Sequence, residues 1–206
     1  MAKTATKKTA KKKTAKKAAK KSSSRGASNG PGLLEFFTEQ LKDIYWAEKH
    51  LVQKLPMLRK AASSEELQEA IEEHIEQTKE QVTRLEEIFS MLDKKPQAKK
   101  CEAMEGLTEE AKTVISETER GTATQDVGII LSAQKVEHYE IAAYGGLAQL
   151  ARTIGREDIA DILEETLAEE KDTDVLLTQI AENNINYEAA EEGEEQEEEE
   201  EQEAAE

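Results

Sequence analysis

The stretch DVGIILSAQKVEHYEIAAYGGLAQLARTI, residues 126–154, decides the fold. Ile130, Ala133, Ile141, Tyr144 and Leu147 recur at the three-and-four spacing of one helix face, and Gly155 supplies a stop just after it. Glu137 stands inside that apolar stripe, where a carboxylate buried alone costs several kcal/mol. The fault is repeated elsewhere. Glu48 interrupts Leu34, Phe37, Leu41, Ile44, Leu51 and Leu55, while Glu170 and Asp174 interrupt Leu163, Leu167, Leu177 and Ala181. Acids that converge from facing helices of a bundle are how carboxylate di-metal sites are built. These stripes are therefore expected to supply a cation.

Working outward from 126–154, the pattern leaves helices and nothing that alternates like a strand. A first helix is expected over 33–62, with Pro56 a kink or weak point near its end. A second starts at a Ser63 or Ser64 cap, with Glu65 and Glu66 suiting the dipole of its first turn, and ends before Asp93. Its apolar face carries Leu67, Ile71, Val82, Leu85, Phe89 and Leu92. A shorter helix over 101–118 lies in the crossing segment, and a last one runs over 158–182. Two short connections and one long one give an all-α, ferritin-like four-helix bundle whose long crossover contains an extra helix. Gly145–Gly146 suits close approach of two helices.

The ends differ in composition. Residues 1–25 contain ten Lys and one Arg and no acid, and residues 188–206 contain twelve Glu and no base. These charges nearly cancel, so the formal charge of −17 belongs almost entirely to the segment between them. Neither end has apolar residues to bury. The expected organisation is a disordered basic arm and linker over 1–32, the bundle over 33–187, and a disordered acidic tail over 188–206. No run approaches the ~20 apolar residues of a membrane span, and no apolar stretch follows the basic start as in a secretory signal. The single Cys, Cys101, cannot make an internal disulfide, which fits a reducing cytoplasm. It falls in an apolar series with Met104, Leu107 and Ala111 and reads as a small core residue.

The second helix also breaks its stripe, at His74, Thr78 and Gln81, and the fourth adds Glu140 one turn beyond Glu137. The candidate ligands are Glu48, His74, Glu137, Glu140, Glu170 and Asp174. Imidazole with several carboxylates suits iron, manganese or zinc better than calcium. Two divalent ions per chain, iron or manganese, would neutralise four acids. Against this, periodicity places a residue only to about a third of a turn. Any of these acids can lie at a stripe edge in water, Asp174 and Glu140 can act beyond the ligand shell, and His74 can be an ordinary interior histidine. His138 points about 100 degrees away from Glu137, and His50 faces outward.

The segments DIYWAEKHLVQKLPML, CEAMEGLTEEA, AQKVEHYEIAAYG and ETLAEEKDTDVLLTQIA resemble the YciF-like family of bacterial ferritin-like proteins over about 33–187. The resemblance implies a ferritin-like bundle associated with stress response, forming dimers and able to carry two metals. Di-iron bundles take a Glu from each of two helices and a Glu-x-x-His pair from each of the others. Glu48 and Glu137 match the two lone acids, and Tyr144 matches the Tyr that rubrerythrin-like proteins place seven residues beyond that Glu. The other helices depart from the pattern. Glu170 is followed three later by Thr173, leaving Asp174 as substitute, and Glu76 is followed by Lys79, so His74 or Gln81 must fill in.

Two functions stand side by side, and enzymatic activity is left open. One is a stress-response bundle with a carboxylate-bridged di-metal site. The other is a nucleoid-associated or architectural dimer without metal chemistry. Its arm (Lys7, Lys8, Lys11, Lys12, Lys13, Lys16, Lys17, Lys20 and Lys21) would neutralise DNA phosphates without reading bases. The arm can equally fold back on the acidic end. No phosphate-binding Gly loop, nucleophile with a neighbouring His, or Cys cluster is present.

Overall fold

The computed structural model describes Met1 and residues 32–194. Five α-helices form: α1 (Leu33–Ala61), α2 (Glu65–Met91), α3 (Glu102–Glu117), α4 (Ala123–Thr153) and α5 (Glu157–Ile180). No strand occurs among the described residues. α1, α2, α5 and α4 pack side by side in a closed ring, each on two neighbours, and α3 crosses outside against α4 and α1. This is the ferritin-like bundle expected, with its extra crossing helix. The basic arm, including all nine lysines from Lys7 to Lys21 named above, lies outside the described residues.

The apolar stripes form the core. Phe37, Leu41, Ile44, Leu51 and Leu55 of α1 are buried, as are Leu67, Ile71, Leu85 and Phe89 of α2 and Leu163 and Leu177 of α5. Each such side chain contributes about 1.5–3 kcal/mol, so the stripes supply the main driving force. Leu34 differs: it is exposed. Pro56 sits inside α1 without ending it.

The helix ends are set by local chemistry. Ser64 caps α2 by accepting from the Leu67 amide at 3.3 Å. Thr122 caps α4 by accepting from the Gln125 amide at 3.1 Å, which starts that helix three residues before the expected Asp126. Asp126 thereby falls within the first turn, buried, where its carboxylate accepts from Ser63 N at 2.8 Å, Ser63 Oγ at 2.7 Å and Ser64 N at 2.7 Å. The α1–α2 turn is thus tied to the start of α4. Gly155, at φ 81, ends α4 in the left-handed conformation that glycine adopts without strain.

Two expectations change. The tight helix contact is not at Gly145–Gly146: a Cβ at Gly146 would meet nothing within 4 Å, whereas one at Gly128 would lie 2.6 Å from Val114 Cγ1. The crossing helix therefore lies closest to the start of α4. Beyond α5 the chain widens into a π-helical turn, Ala181–Ile185, and residues 186–194 continue as helix. Residues 188–194, assigned to the acidic tail by composition, include Glu192, which accepts from the Ala123 and Thr124 amides at 2.9 and 3.2 Å. An acidic side chain at free helix N–H groups is favourable whatever the charge of its own segment.

Candidate metal centre

Halfway along the bundle each of the four helices turns a polar side chain into the core. α1 contributes Glu48, α2 His74, α4 Glu137 and Glu140, and α5 Glu170. The four carboxylates are at most 1% exposed. One ligand atom from each of His74, Glu137, Glu140 and Glu170 lies within 4.8 Å of the others. Glu48 joins from the α1 side, where it meets Glu140 and accepts a short hydrogen bond from the Tyr144 hydroxyl. The structure thus brings together five of the six candidate ligands.

Asp174 is the exception. Its Oδ1 lies 3.3 Å from Gln134 Nε2 and 3.3 Å from His138 Nε2, at the rim between α4 and α5, and it is 22% exposed. Four residues is more than one turn, so Asp174 is rotated about 40 degrees past Glu170. Thr173, about 60 degrees to the other side of Glu170, is buried, but its hydroxyl donates to the Glu169 carbonyl. α5 therefore gives one ligand, and α4 gives the pair.

The layer's polar atoms are poorly satisfied. Of the ten buried side-chain polar atoms without a hydrogen-bond partner among the described residues, nine lie here. They belong to Glu48, His74, Gln81, Glu137, Glu140 and Glu170. His74 Nε2 lies 3.3 Å from Glu137 Oε1 but is not aligned to donate to it, and both ring nitrogens are unpartnered. Each such group costs roughly 1–3 kcal/mol, so the set would be strongly disfavoured as a purely structural feature. Electrostatics agrees. Burial, reinforced by Glu170, pushes Glu48 up to about 8, with Tyr144 partly offsetting the rise. Burial pushes Glu170 up to about 7. Glu137 and Glu140 are driven well above the carboxylate range by burial first, then by their acidic neighbours. Burial lowers His74 to about 4, so its imidazole is neutral near pH 7 and free to ligate.

Orphaned oxygens and a neutral imidazole are the donor set of a transition metal, so the residues fit such a group. Tyr144 fixes Glu48 Oε1 and leaves Oε2 for the layer, the role usual for a partner behind a ligand. A cavity of about 10 Å³ adjoins His74 and Glu137, walled by Leu55, Ile71, Ala133 and Leu177. It has room for about one water-sized guest.

Sequence reasoning missed a neighbouring feature. Arg84 holds Glu169 through two bonds of 2.5 and 2.6 Å, and Gln81 Nε2 reaches the same carboxylate at 3.1 Å. On α5, Glu169 is one residue from a ligand and looks like any surface acid in sequence; only the spacing of Gln81 and Arg84 on α2 hints at it. The two other histidines lie outside the layer. His50 stacks on Trp46 and bonds Thr108 Oγ1 at 2.9 Å, and His138 is exposed at the rim. Cys101 is buried against the Tyr139 hydroxyl, 2.9 Å away, and burial pushes its thiol up, which suits packing rather than reactivity.

Comparison with known proteins places these observations in a family. Residues 32–190 match the family described as Domain of unknown function (DUF892). Protein YciF of Escherichia coli (strain K12) is 46% identical over 156 residues, covering 75% of this chain and 93% of that protein. The crystal structure of the E. coli stress protein YciF superposes with a TM-score of 0.72 at 45% identity, covering 75% of this chain and 98% of that one. YcfI from Rhodopseudomonas palustris gives 0.70 at 34% identity, covering 72% and 94%. No described helix is long and apolar enough to cross a membrane. With the family model spanning the whole bundle and a relative this similar, the chain belongs to the DUF892 family and is a homologue of YciF.

Proposed function

We propose that the bundle is a stress-response protein that binds two divalent transition-metal ions, iron or manganese, between Glu48, His74, Glu137, Glu140 and Glu170. The observation that carries this reading is the set of eight unpartnered buried atoms on these five residues, drawn from all four helices. Four carboxylates balance two divalent charges, and neutral His74 adds the nitrogen that favours transition metals over calcium. Bound iron or manganese would supply one-electron chemistry toward oxygen or peroxide. The chain's own residues hold the ligands in place, exclude water from the layer and release protons as ligation replaces them. The name "stress protein" carried by the E. coli relative agrees with such a role.

The test is metal content by mass spectrometry after anaerobic reconstitution of the full, untagged chain with ferrous iron. About two ions per chain are expected for the wild type, with most of the metal lost in Glu137→Ala. Absence of bound metal in the wild type would overturn the reading.

A second part of the proposal concerns the ends. Ten Lys and one Arg within residues 1–25 would give sequence-independent, steeply salt-dependent DNA binding, with the body as a dimer in the cytoplasm or at the nucleoid. Deleting residues 1–25 should abolish a mobility shift on duplex DNA. If the deletion binds like the full chain, the DNA role is excluded and the metal bundle remains.

A further inference from the structure

A sealed layer must still be reached. Its carboxylates are at most 1% exposed, and a divalent cation does not cross an apolar wall without oxygen partners. Outward from the layer, polar side chains mostly turn back on their own helices: Thr78 donates to the His74 carbonyl at 2.7 Å and Thr173 to the Glu169 carbonyl at 3.1 Å. Gln81 does not. It is 1% exposed, its amide nitrogen donates to Glu169, its Oε1 has no partner, and the same amide faces Glu170 of the layer. Glu169 in turn reaches the surface, 24% exposed. Glu169 and Gln81 therefore form a polar line from solvent to the edge of the layer between α2 and α5, with Glu170 next and not hydrogen-bonded to it.

Arg84 closes that line. Its guanidinium holds both Glu169 oxygens, at 2.5 and 2.6 Å, and cancels the charge that would attract a cation. It also has other acids to turn to: Glu165 at 3.3 Å and Glu80 at 3.9 Å, both exposed. A planar guanidinium with several carboxylates in reach can exchange between them at little cost in pairing energy.

We propose that Glu169, Gln81 and Arg84 form the port through which a divalent transition-metal ion reaches the buried layer. Arg84 swings to Glu165 and Glu80, Glu169 captures the ion at the surface, and Gln81 Oε1 passes it to Glu170. Return of Arg84 closes the port. The proposal rests on the metal reading above.

The experiment is stopped-flow loading of the metal-free full chain with Co²⁺, followed by its visible absorbance, with the final metal content read by mass spectrometry and folding checked by circular dichroism. Arg84→Gln opens the port and should load about tenfold faster. Glu169→Gln removes the capture site and should load about tenfold more slowly. Both should finish at the wild-type metal content. Wild-type rates in both variants, at the wild-type endpoint, overturn the port and leave the metal reading standing. A reduced endpoint for Glu169→Gln at unchanged rate makes Glu169 a ligand and also overturns the port. Failure of the wild type to bind Co²⁺ overturns the metal reading and the port with it.

Discussion

Two buried acid sites in this bundle are opposites. Asp126, 2% exposed, accepts three hydrogen bonds from the Ser63–Ser64 turn, two of them from backbone amides. Glu140, fully buried 14 residues further along the same helix, has both carboxylate oxygens without a partner, and Glu170 facing it is in the same state. One carboxylate is matched by donors and stabilises a corner of the fold. The others have no hydrogen-bond donor on either oxygen. Burial alone therefore says little about an acid's role; what separates structure from function here is whether the fold supplies the donors.

Four experiments bear on that contrast. The largest effect is expected from metal. Loading with ferrous iron at about 1,000 times its Kd should stabilise the fold by roughly 4 kcal/mol, because ligand binding draws the native state by mass action. Thermal melting of loaded against metal-free protein measures this, and equal melting temperatures would put the layer in the same class as Asp126.

Next is Asp126→Ala. It strands two backbone N–H groups and a hydroxyl in a buried corner, for an expected loss of about 3 kcal/mol in urea denaturation. The loss should be the same with or without metal. A much smaller loss would mean that water satisfies the turn as well as the carboxylate does.

The third is pH dependence of the metal-free protein. Glu48, raised from 4.5 to about 8, and Glu170, raised to about 7, hold protons in the fold that the unfolded chain has lost. Their contribution is complete below about pH 4.5 and lost as pH rises through 7 and 8. His74, lowered from 6.5 to about 4, has the opposite sign: its contribution is present above 6.5 and lost as pH falls through 4. Above pH 6.5 only the acids act. Melting should fall by roughly 10 °C between pH 6.5 and 8.5 in chelator, and metal should abolish the fall. A flat profile in chelator would show that the acids do not hold their protons.

The smallest effect belongs to Glu137→Gln combined with Glu140→Gln. Removing the charges while keeping Glu48 and its Tyr144 bond should stabilise the metal-free fold by about 1–2 kcal/mol at pH 8 and by almost nothing at pH 5. Destabilisation at pH 8 would show that the two acids make bonds the fold needs.

Much of this was legible in the residues. The stripes around Glu48, Glu137 and Glu170 placed those acids in the core, and all three are buried. His74 and Glu140 were also within reach of periodicity, since each lies within one turn of an apolar neighbour on the buried face. Asp174 was not, because a four-residue step drifts past the stripe and a pattern of apolar residues cannot tell the edge of a face from its centre. The helix over residues 188–194 was hidden for a different reason. Its composition is that of a solvated tail, yet Glu192 finds the free amides at the start of α4.

By itself, the sequence determined the class of fold, the helices, and that Glu48, Glu137 and Glu170 point inward, because each follows from spacing along one chain and from the cost of leaving apolar faces in water. Only the tertiary structure decided which acids meet. The group of His74, Glu137, Glu140 and Glu170 joins three helices and Glu48 adds the fourth. Asp126 found its donors more than 60 residues away, and Arg84 found Glu169 across the α2–α5 contact. Electrostatic strength depends on distance and on exclusion of water, and both are set by how helices dock rather than by the order of residues within any one of them.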